Sequence, residues 1–215
     1  MSLYTINKSF QSTVTRSTRV LEVAEAFGLG LEDKEFTVYS NFVVDIKDGD
    51  VVYITGQSGS GKSLLLKDLA RQIALEQEVA DIDKVELQEV PLIDQVGENT
   101  DEAIKILSMA GLNDAYLLIR KPSELSDGQR YRFRIAKLLE SKARVWVADE
   151  FGAVLDRVTA KAVALNVRRF AASVGATLIV ATTHKDLREE LAPTLYVDKR
   201  FKDKINVEVN HETSN

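Results

Sequence analysis

Gly56-Gln57-Ser58-Gly59-Ser60-Gly61-Lys62-Ser63 fits the phosphate-cradling spacing G-x-x-x-x-G-K-[ST] and follows an apolar run, Val51 to Ile54. Glycines at this spacing let the backbone wrap an anion with its N–H groups. Lys62 brings a positive charge to the outer phosphates, and Ser63 offers a hydroxyl to Mg²⁺. Leu64, with Leu65, Leu66 and Leu69, continues into a helix whose N-terminal dipole faces the same anion. A plain glycine turn between strand and helix would explain the glycines but not Lys62 and Ser63 together. Gly56 through Leu64 are therefore the candidate nucleotide-binding residues.

A second group lies downstream. Asp149 and Glu150 follow the apolar run Val145 to Ala148, which puts them at the C-terminal end of a buried strand, the edge at which open α/β sheets bind ligands. Adjacent carboxylates there can divide the work: Asp149 holds Mg²⁺ through water, and Glu150 polarises the water that attacks a γ-phosphate. Alone, such a pair also reads as an acidic cap on a strand. Ser126, in Leu125-Ser126-Asp127-Gly128-Gln129, stands where it would N-cap the amphipathic helix that follows.

The elements that must position these groups follow from hydrophobic period. Phe36 to Ile46 reads as a strand, and Val20 to Phe27 as another, although Val20, Leu21, Ala24 and Phe27 also fit helical spacing. Residues 1–16 are rich in Ser and Thr and read as a polar arm, mobile or edge-forming. The acidic stretch Leu75 to Asp83 leads to an expected short strand near Val85 to Leu87. Ile104, Leu107 and Leu112 sit at near-helical spacing within Thr100 to Leu118, and Asp127 to Ser141 is a stronger amphipathic helix with Tyr131, Ile135, Leu138 and Leu139 on one side. The last third alternates: strand Val145 to Ala148, helix Asp156 to Ser173, strand Thr177 to Ala181, and a short helix near Asp186 to Leu191. That alternation implies a mostly parallel sheet with right-handed crossovers. Thr194 to Val197 and Ile205 to Val209 would close it, and residues 210–215 read as a frayed tail.

Composition sets the bounds. The chain has 215 residues, 45% hydrophobic and 28% charged, enough for one substantial core. It has no cysteine, hence no disulfide framework or thiolate nucleophile, which fits a reducing compartment and a cytoplasmic location. No run is long and apolar enough to cross a bilayer, and the polar start lacks the core of a signal peptide, so a membrane role would need a partner chain. A net charge of −5 argues against a broadly basic nucleic-acid surface and leaves Arg130, Arg132, Arg134 and Lys137 as a local candidate patch.

Lying between a phosphate loop and an Asp-Glu strand, Leu125-Ser126-Asp127-Gly128-Gln129 resembles the Leu-Ser-Gly-Gly-Gln signature of ATP-binding-cassette (ABC) ATPases. The resemblance runs over residues about 20–200 in the family's order. It implies an α/β P-loop NTPase with a mostly parallel central sheet, an antiparallel N-terminal β layer and a shortened helical subdomain. The cassette would span 17–209, with the helical subdomain at about 96–142. It also implies roles. Gln95 resembles the glutamine that touches Mg²⁺ and the attacking water, alongside Ser63 and Asp149 as metal ligands. Asp156, in Ala153-Val154-Leu155-Asp156, resembles the aspartate of the D-loop at the dimer interface. His184, after Val180 to Thr183, resembles the switch histidine on the γ-phosphate. An upstream aromatic residue stacks on adenine in this family, and Phe27 is chosen over Tyr39 and Phe42, which read as core.

The implied partners are ATP with Mg²⁺ and a second copy or related cassette, head to tail, whose Ser126, Asp127, Gly128 and Gln129 would cover the γ-phosphate. A further, unidentified protein partner would take up the work. Asp127 departs from the family's glycine and is expected to face outward. About sixty residues separate Lys62 from Ser126, fewer than in transporter cassettes and too few for the long coiled-coil insertion of chromosome-maintenance ATPases. The segments around Asp149 to Arg157 and Ile179 to Leu187 look more like a soluble ABC group found fused to predicted acetyltransferase domains. A small-molecule P-loop kinase would not account for Leu125 to Gln129 with His184.

Overall fold

In the computed structural model, residues 2–200 and 204–210 are described. Strands β1 (Ser2–Ser12) and β2 (Lys34–Ile46) pair antiparallel as a separate ribbon. The central sheet has six strands: β3 (Val51–Gly56), β4 (Val79–Asp81), β5 (Val145–Ala148), β6 (Thr177–Thr182), β7 (Leu195–Lys199) and β8 (Ile205–Val209), in the order β4-β5-β6-β3-β7-β8. All neighbours are parallel except β7 and β8. The α/β architecture with an antiparallel N-terminal ribbon is the one expected.

Alternation along the strands separates two cores, because successive side chains face opposite sides of a sheet. Tyr53, Trp146, Ala148, Leu178 and Val180 meet helices α3 (Thr100–Met109), α5 (Asp127–Glu140), α6 (Arg157–Val174) and α7 (Arg188–Leu191). Val52, Ile54, Val145, Val147 and Ile179 meet α2 (Lys62–Ile73) and the ribbon. On α2, Leu65, Leu69 and Ile73 recur every fourth residue and are almost fully buried, each contributing on the order of 1.5–3 kcal/mol. That burial seats the helix, and with it the loop that precedes it.

Several expectations need correction. Val20 to Phe27 is not a strand but lies within helix α1 (Thr18–Phe27): Ser17 accepts a hydrogen bond from Val20 N, and Gly28, at φ 62°, closes the other end with Leu29 N donating to Ala24 O at 2.8 Å. For residues 1–16 the edge-forming alternative holds, since β1 covers Ser2–Ser12 with Tyr4 and Ile6 buried. Asn7 supports the register break by accepting from Asn41 N at 2.6 Å. Val85 to Leu87 forms no strand. The pairing partner of β5 is Val79–Asp81, inside the acidic stretch, and Asp81 ends it by accepting from Asp83 N at the start of a 3₁₀ turn. The region 100–118 divides into α3 and a single turn, α4 (Ala115–Leu118). Of its three marker residues Leu107 and Leu112 are buried, whereas Ile104 is exposed. Of the proposed frayed tail, 211–215 lies outside the described residues.

Candidate nucleotide site

Parallel β3, β5 and β6 end on one edge of the sheet, and each is followed by chemistry: the loop Gly56 to Lys62, the pair Asp149 and Glu150, and the turn through Thr182 to His184. The loop is seated on the ribbon. Gly61 has φ 101°, and a Cβ there would lie 2.6 Å from Val38 Cγ1, so a side chain would lift the loop from β2. The Tyr39 hydroxyl donates to Gly61 O at 2.9 Å. Lys62, 4% exposed, folds back and donates from Nζ to Gln57 O at 2.9 Å. No side chain caps α2, so its first-turn N–H groups keep their affinity for an anion. Ser60 Oγ is buried and, among the described residues, has no partner, which suits a loop built to close on a phosphate.

Ser63 Oγ donates to Asp149 Oδ1 at 3.0 Å, and the same oxygen accepts from Glu150 N at 3.0 Å. The start of α2 and the end of β5 are thus joined through one carboxylate. A hydroxyl and a carboxylate in contact suit Mg²⁺ that arrives on phosphates, since that ion keeps waters and takes only one or two protein oxygens. Among the described residues no group of three or more acidic, His or Cys side chains forms a metal cage. Glu150 itself has φ 45°, one of three non-glycine residues with positive φ among the described residues. That conformation costs on the order of 1–2 kcal/mol and is tolerated where a carboxylate must be aimed.

Gln95 is not joined to Ser63 or Asp149 among the described residues. Its Nε2 donates to Gln88 O at 2.8 Å and Val90 O at 2.6 Å, while its Oε1 accepts from Gln88 N at 3.1 Å. Lys137 Nζ also donates to Gln95 O at 2.6 Å. The carboxamide therefore braces the backbone of the loop after β4, and the glutamine that this loop exposes is Gln88. Asp81 pairs with Val147, which sets the loop beside the Asp149 end of the sheet, and partial burial, then the charges of Asp81 and Asp149, push up the carboxyl of Asp83 in that loop. Gln88 closes the run Val85 to Gln88, seven residues nearer the phosphate loop than Gln95.

A second cluster gathers around the start of α5. Ser126 and Gln129 form a reciprocal cap: Gln129 N donates to Ser126 Oγ at 3.3 Å and Ser126 N to Gln129 Oε1 at 2.9 Å. Asp127 faces outward as expected, 85% exposed, with Arg130 at 2.7 Å. A Cβ on Gly128 would lie 3.4 Å from Val154 O, and Gly152 N donates to the Tyr131 hydroxyl at 3.0 Å, so the α5 start and the loop 152–156 are neighbours. Asp156 N-caps α6, and hydrogen bonds from Thr159 hold its carboxyl below the usual range. Among the described residues no hydrogen bond links Ser126 to Gln129 with the phosphate loop.

His184 follows β6. Its N donates to Thr182 Oγ1 at 3.3 Å, and its carbonyl accepts from the Tyr53 hydroxyl. Phe27 is the last residue of α1 and 76% exposed. Another aromatic pair went unselected in the sequence. Phe10 and Phe36 face each other across β1 and β2, both partly exposed, and Phe36 shares its face of β2 with Val38, which meets Gly61. The basic patch is mostly committed to the protein itself. Arg130 donates to Pro122 O, Arg132 to Gly111 O and Gly128 O, and Lys137 pairs with Glu140.

An open parallel sheet, a glycine loop feeding an uncapped helix and an acidic strand end define a P-loop nucleotide-binding domain. A family model described as ABC transporter matches residues 39–97 and 74–153, more than half of the chain, and the chain belongs to that family. It is 25% identical over 211 residues to the methionine import ATP-binding protein MetN of Clostridium tetani, covering 80% of this chain and 63% of that protein. With the cytochrome c biogenesis ATP-binding export protein CcmA of Agrobacterium fabrum it shares 29% identity over 204 residues, covering 79% and 92%. The first three curated relatives are spanned only over 63%, 54% and 51% of their length. In fold, the chain is similar to the dimeric post-hydrolysis state of the ATP-binding cassette MJ0796 bound to ADP and Pi: TM-score 0.67, 16% identity, 95% of this chain and 98% of that one.

Proposed function

We propose that this cassette binds Mg·ATP and hydrolyses it to ADP and phosphate at composite sites in a head-to-tail dimer. The observation that carries the reading is the split in the site. Ser63, Asp149 and Glu150 are joined by hydrogen bonds, and the neighbouring Lys62 is bonded within its own phosphate loop, whereas Ser126, Gly128 and Gln129 stand apart at a helix start with no phosphate loop of their own. In this scheme the backbone N–H groups of the loop and Lys62 neutralise the phosphates, and Ser63 and Asp149 hold the Mg²⁺ that enters with ATP. Glu150 accepts hydrogen bonding from the attacking water, and His184 meets the γ-phosphate. The partner's copy of the α5 start closes the site, so that transition-state charge is stabilised from both chains.

Two assignments are refined. Gln88 takes the water-facing glutamine role and Gln95 is the brace that holds its backbone. For adenine stacking, the Phe10 and Phe36 face is favoured by its continuity with Val38, and Phe27 is the competing site. The dimeric neighbour with ADP and Pi supports a dimer as the working form. A second reading, a transporter's cassette subunit on the cytoplasmic membrane face, is favoured by the import and export names of the relatives. Among the described residues no helix is long and apolar enough to cross a membrane, so that reading needs a separate membrane chain.

Light scattering of Glu150→Gln tests the central claim. ATP should convert it from monomer to dimer while turnover falls by about 10²–10⁴-fold, the range for losing a general base. Undiminished turnover would remove Glu150 from the mechanism, and a mass that ignores ATP would remove the dimer.

A further inference from the structure

The residues directly after His184 are pulled in opposite directions. Lys185 Nζ meets Asp198 Oδ1 at 2.8 Å, on β7 beside the strand that feeds the phosphate loop. Asp186 is gripped from the other side: Arg157 Nε donates to its Oδ2 at 3.0 Å and Nη2 to its Oδ1 at 2.5 Å. Arg157 is the first residue of α6, directly after Asp156, so this fork ties the loop 152–156 to the His184 turn. Arg157 Nη1 is buried and, among the described residues, has no partner, an unfavourable state that the fold accepts to keep the guanidinium aligned on Asp186. Val154 in the loop and Val158 in the first turn of α6 face solvent, 55% and 80% exposed, on either side of the exposed Asp156. A second subunit that pressed on this surface would push directly on the fork.

We propose that Arg157 is a positioning residue for His184, passing the placement of the loop 152–156 through Asp186 to the imidazole, so that seating of a partner subunit sets the γ-phosphate contact within the same chain. The proposal rests on the composite-site reading above. The contacts that relay the placement, Arg157 to Asp186 and Lys185 to Asp198, all lie within one chain. Among the described residues the Asp186 carboxylate is hydrogen-bonded to Arg157 and not to the phosphate loop or Asp149, which suits it to this role. With Lys185 held on Asp198 and the His184 backbone held through Thr182 and Tyr53, movement of Asp186 reorients the His184 side chain rather than shifting the whole turn.

The test uses the full chain with Arg157→Ala, Asp186→Ala and the exchange Arg157→Asp with Asp186→Arg. Each single variant should lose about tenfold to a hundredfold in kcat, as expected for a displaced reacting group, with KM for ATP and equilibrium ATP binding changed by less than roughly twofold. The exchange should recover most of the loss. An independent reading comes from the histidine ring signals in an NMR spectrum, since the chain has two histidines, His184 and His211. The His184 signal should move in both single variants, return toward its original position in the exchange, and leave that of His211 in place. Wild-type kcat in the single variants, or an unmoved His184 signal, would overturn the proposal. Should the wild-type chain fail to hydrolyse ATP, the functional reading fails, and the His184 signal still decides whether the fork positions that ring.

Discussion

The phosphate-loop end of the sheet and the start of α5 are built on opposite plans. At the first, Lys62 is almost wholly buried and folded onto its own loop, and Ser63 is already bonded to Asp149. At the second, Ser126 spends its hydroxyl on capping its own helix, and Asp127 stands 85% exposed beside Arg130. One region is preorganised for a ligand brought to it. The other is a stable helix terminus which, in the proposed scheme, meets a ligand only when another surface delivers one. A buried, crosslinked site keeps its geometry without nucleotide, whereas an exposed cap depends on association, and that contrast makes the domain suited to linking nucleotide state to assembly.

After Glu150→Gln, the largest expected effect comes from Lys62→Ala. Removing a charge-assisted contact to phosphate should weaken ATP binding by about ten- to a hundredfold, corresponding to roughly 1.5–3 kcal/mol. A fluorescent-nucleotide titration showing unchanged affinity would break the claim that the phosphate loop is the preorganised half. Ser126→Ala should leave that titration unchanged for the monomer while lowering turnover and costing about 1 kcal/mol of stability through the lost cap. If monomer binding were abolished instead, the two regions would not be separate halves.

Comparing Gln88→Ala with Gln95→Ala sharpens the contrast within one loop. The first should lower kcat with little change in melting temperature. The second should lower both, because three hydrogen bonds from its carboxamide are lost. Equal melting temperatures would return the water-facing role to Gln95.

The smallest effect concerns acid. Hydrogen bonds from Arg157 hold the Asp186 carboxyl below its ordinary value. A carboxylate with a depressed folded value stabilises the protein above its unfolded value, and that contribution is lost as pH falls through the folded one. Asp186→Asn should therefore melt slightly below wild type at neutral pH, by roughly 0.2–1 kcal/mol for so exposed a pair, and the gap should close below about pH 4. A gap that widened on acidification would contradict the ionised fork.

Much of this was legible in local pattern. The glycine spacing with Lys62 and Ser63, the apolar run before Asp149, and the Ser126 to Gln129 cap each depend on residues within one turn or strand. Other features were not. Val20, Leu21, Ala24 and Phe27 satisfy two periods, and what decides for helix is the pair of ends, Ser17 accepting from Val20 and Gly28 turning left-handed. The strand beside β5 was misplaced because three half-buried residues, Val79 to Asp81, acquire their extended form only by pairing with Val145 to Val147.

The chain's sequence by itself determined the phosphate loop, the acidic strand end and the helix caps, because each is specified by backbone conformations and side chains close in sequence. Tertiary structure alone decided which glutamine braces the loop and which lies exposed, which aromatic face adjoins Gly61, and that Arg157 grips Asp186. Those outcomes depend on hydrogen bonds between segments whose approach is set by burial of the two cores, and no local pattern encodes that approach.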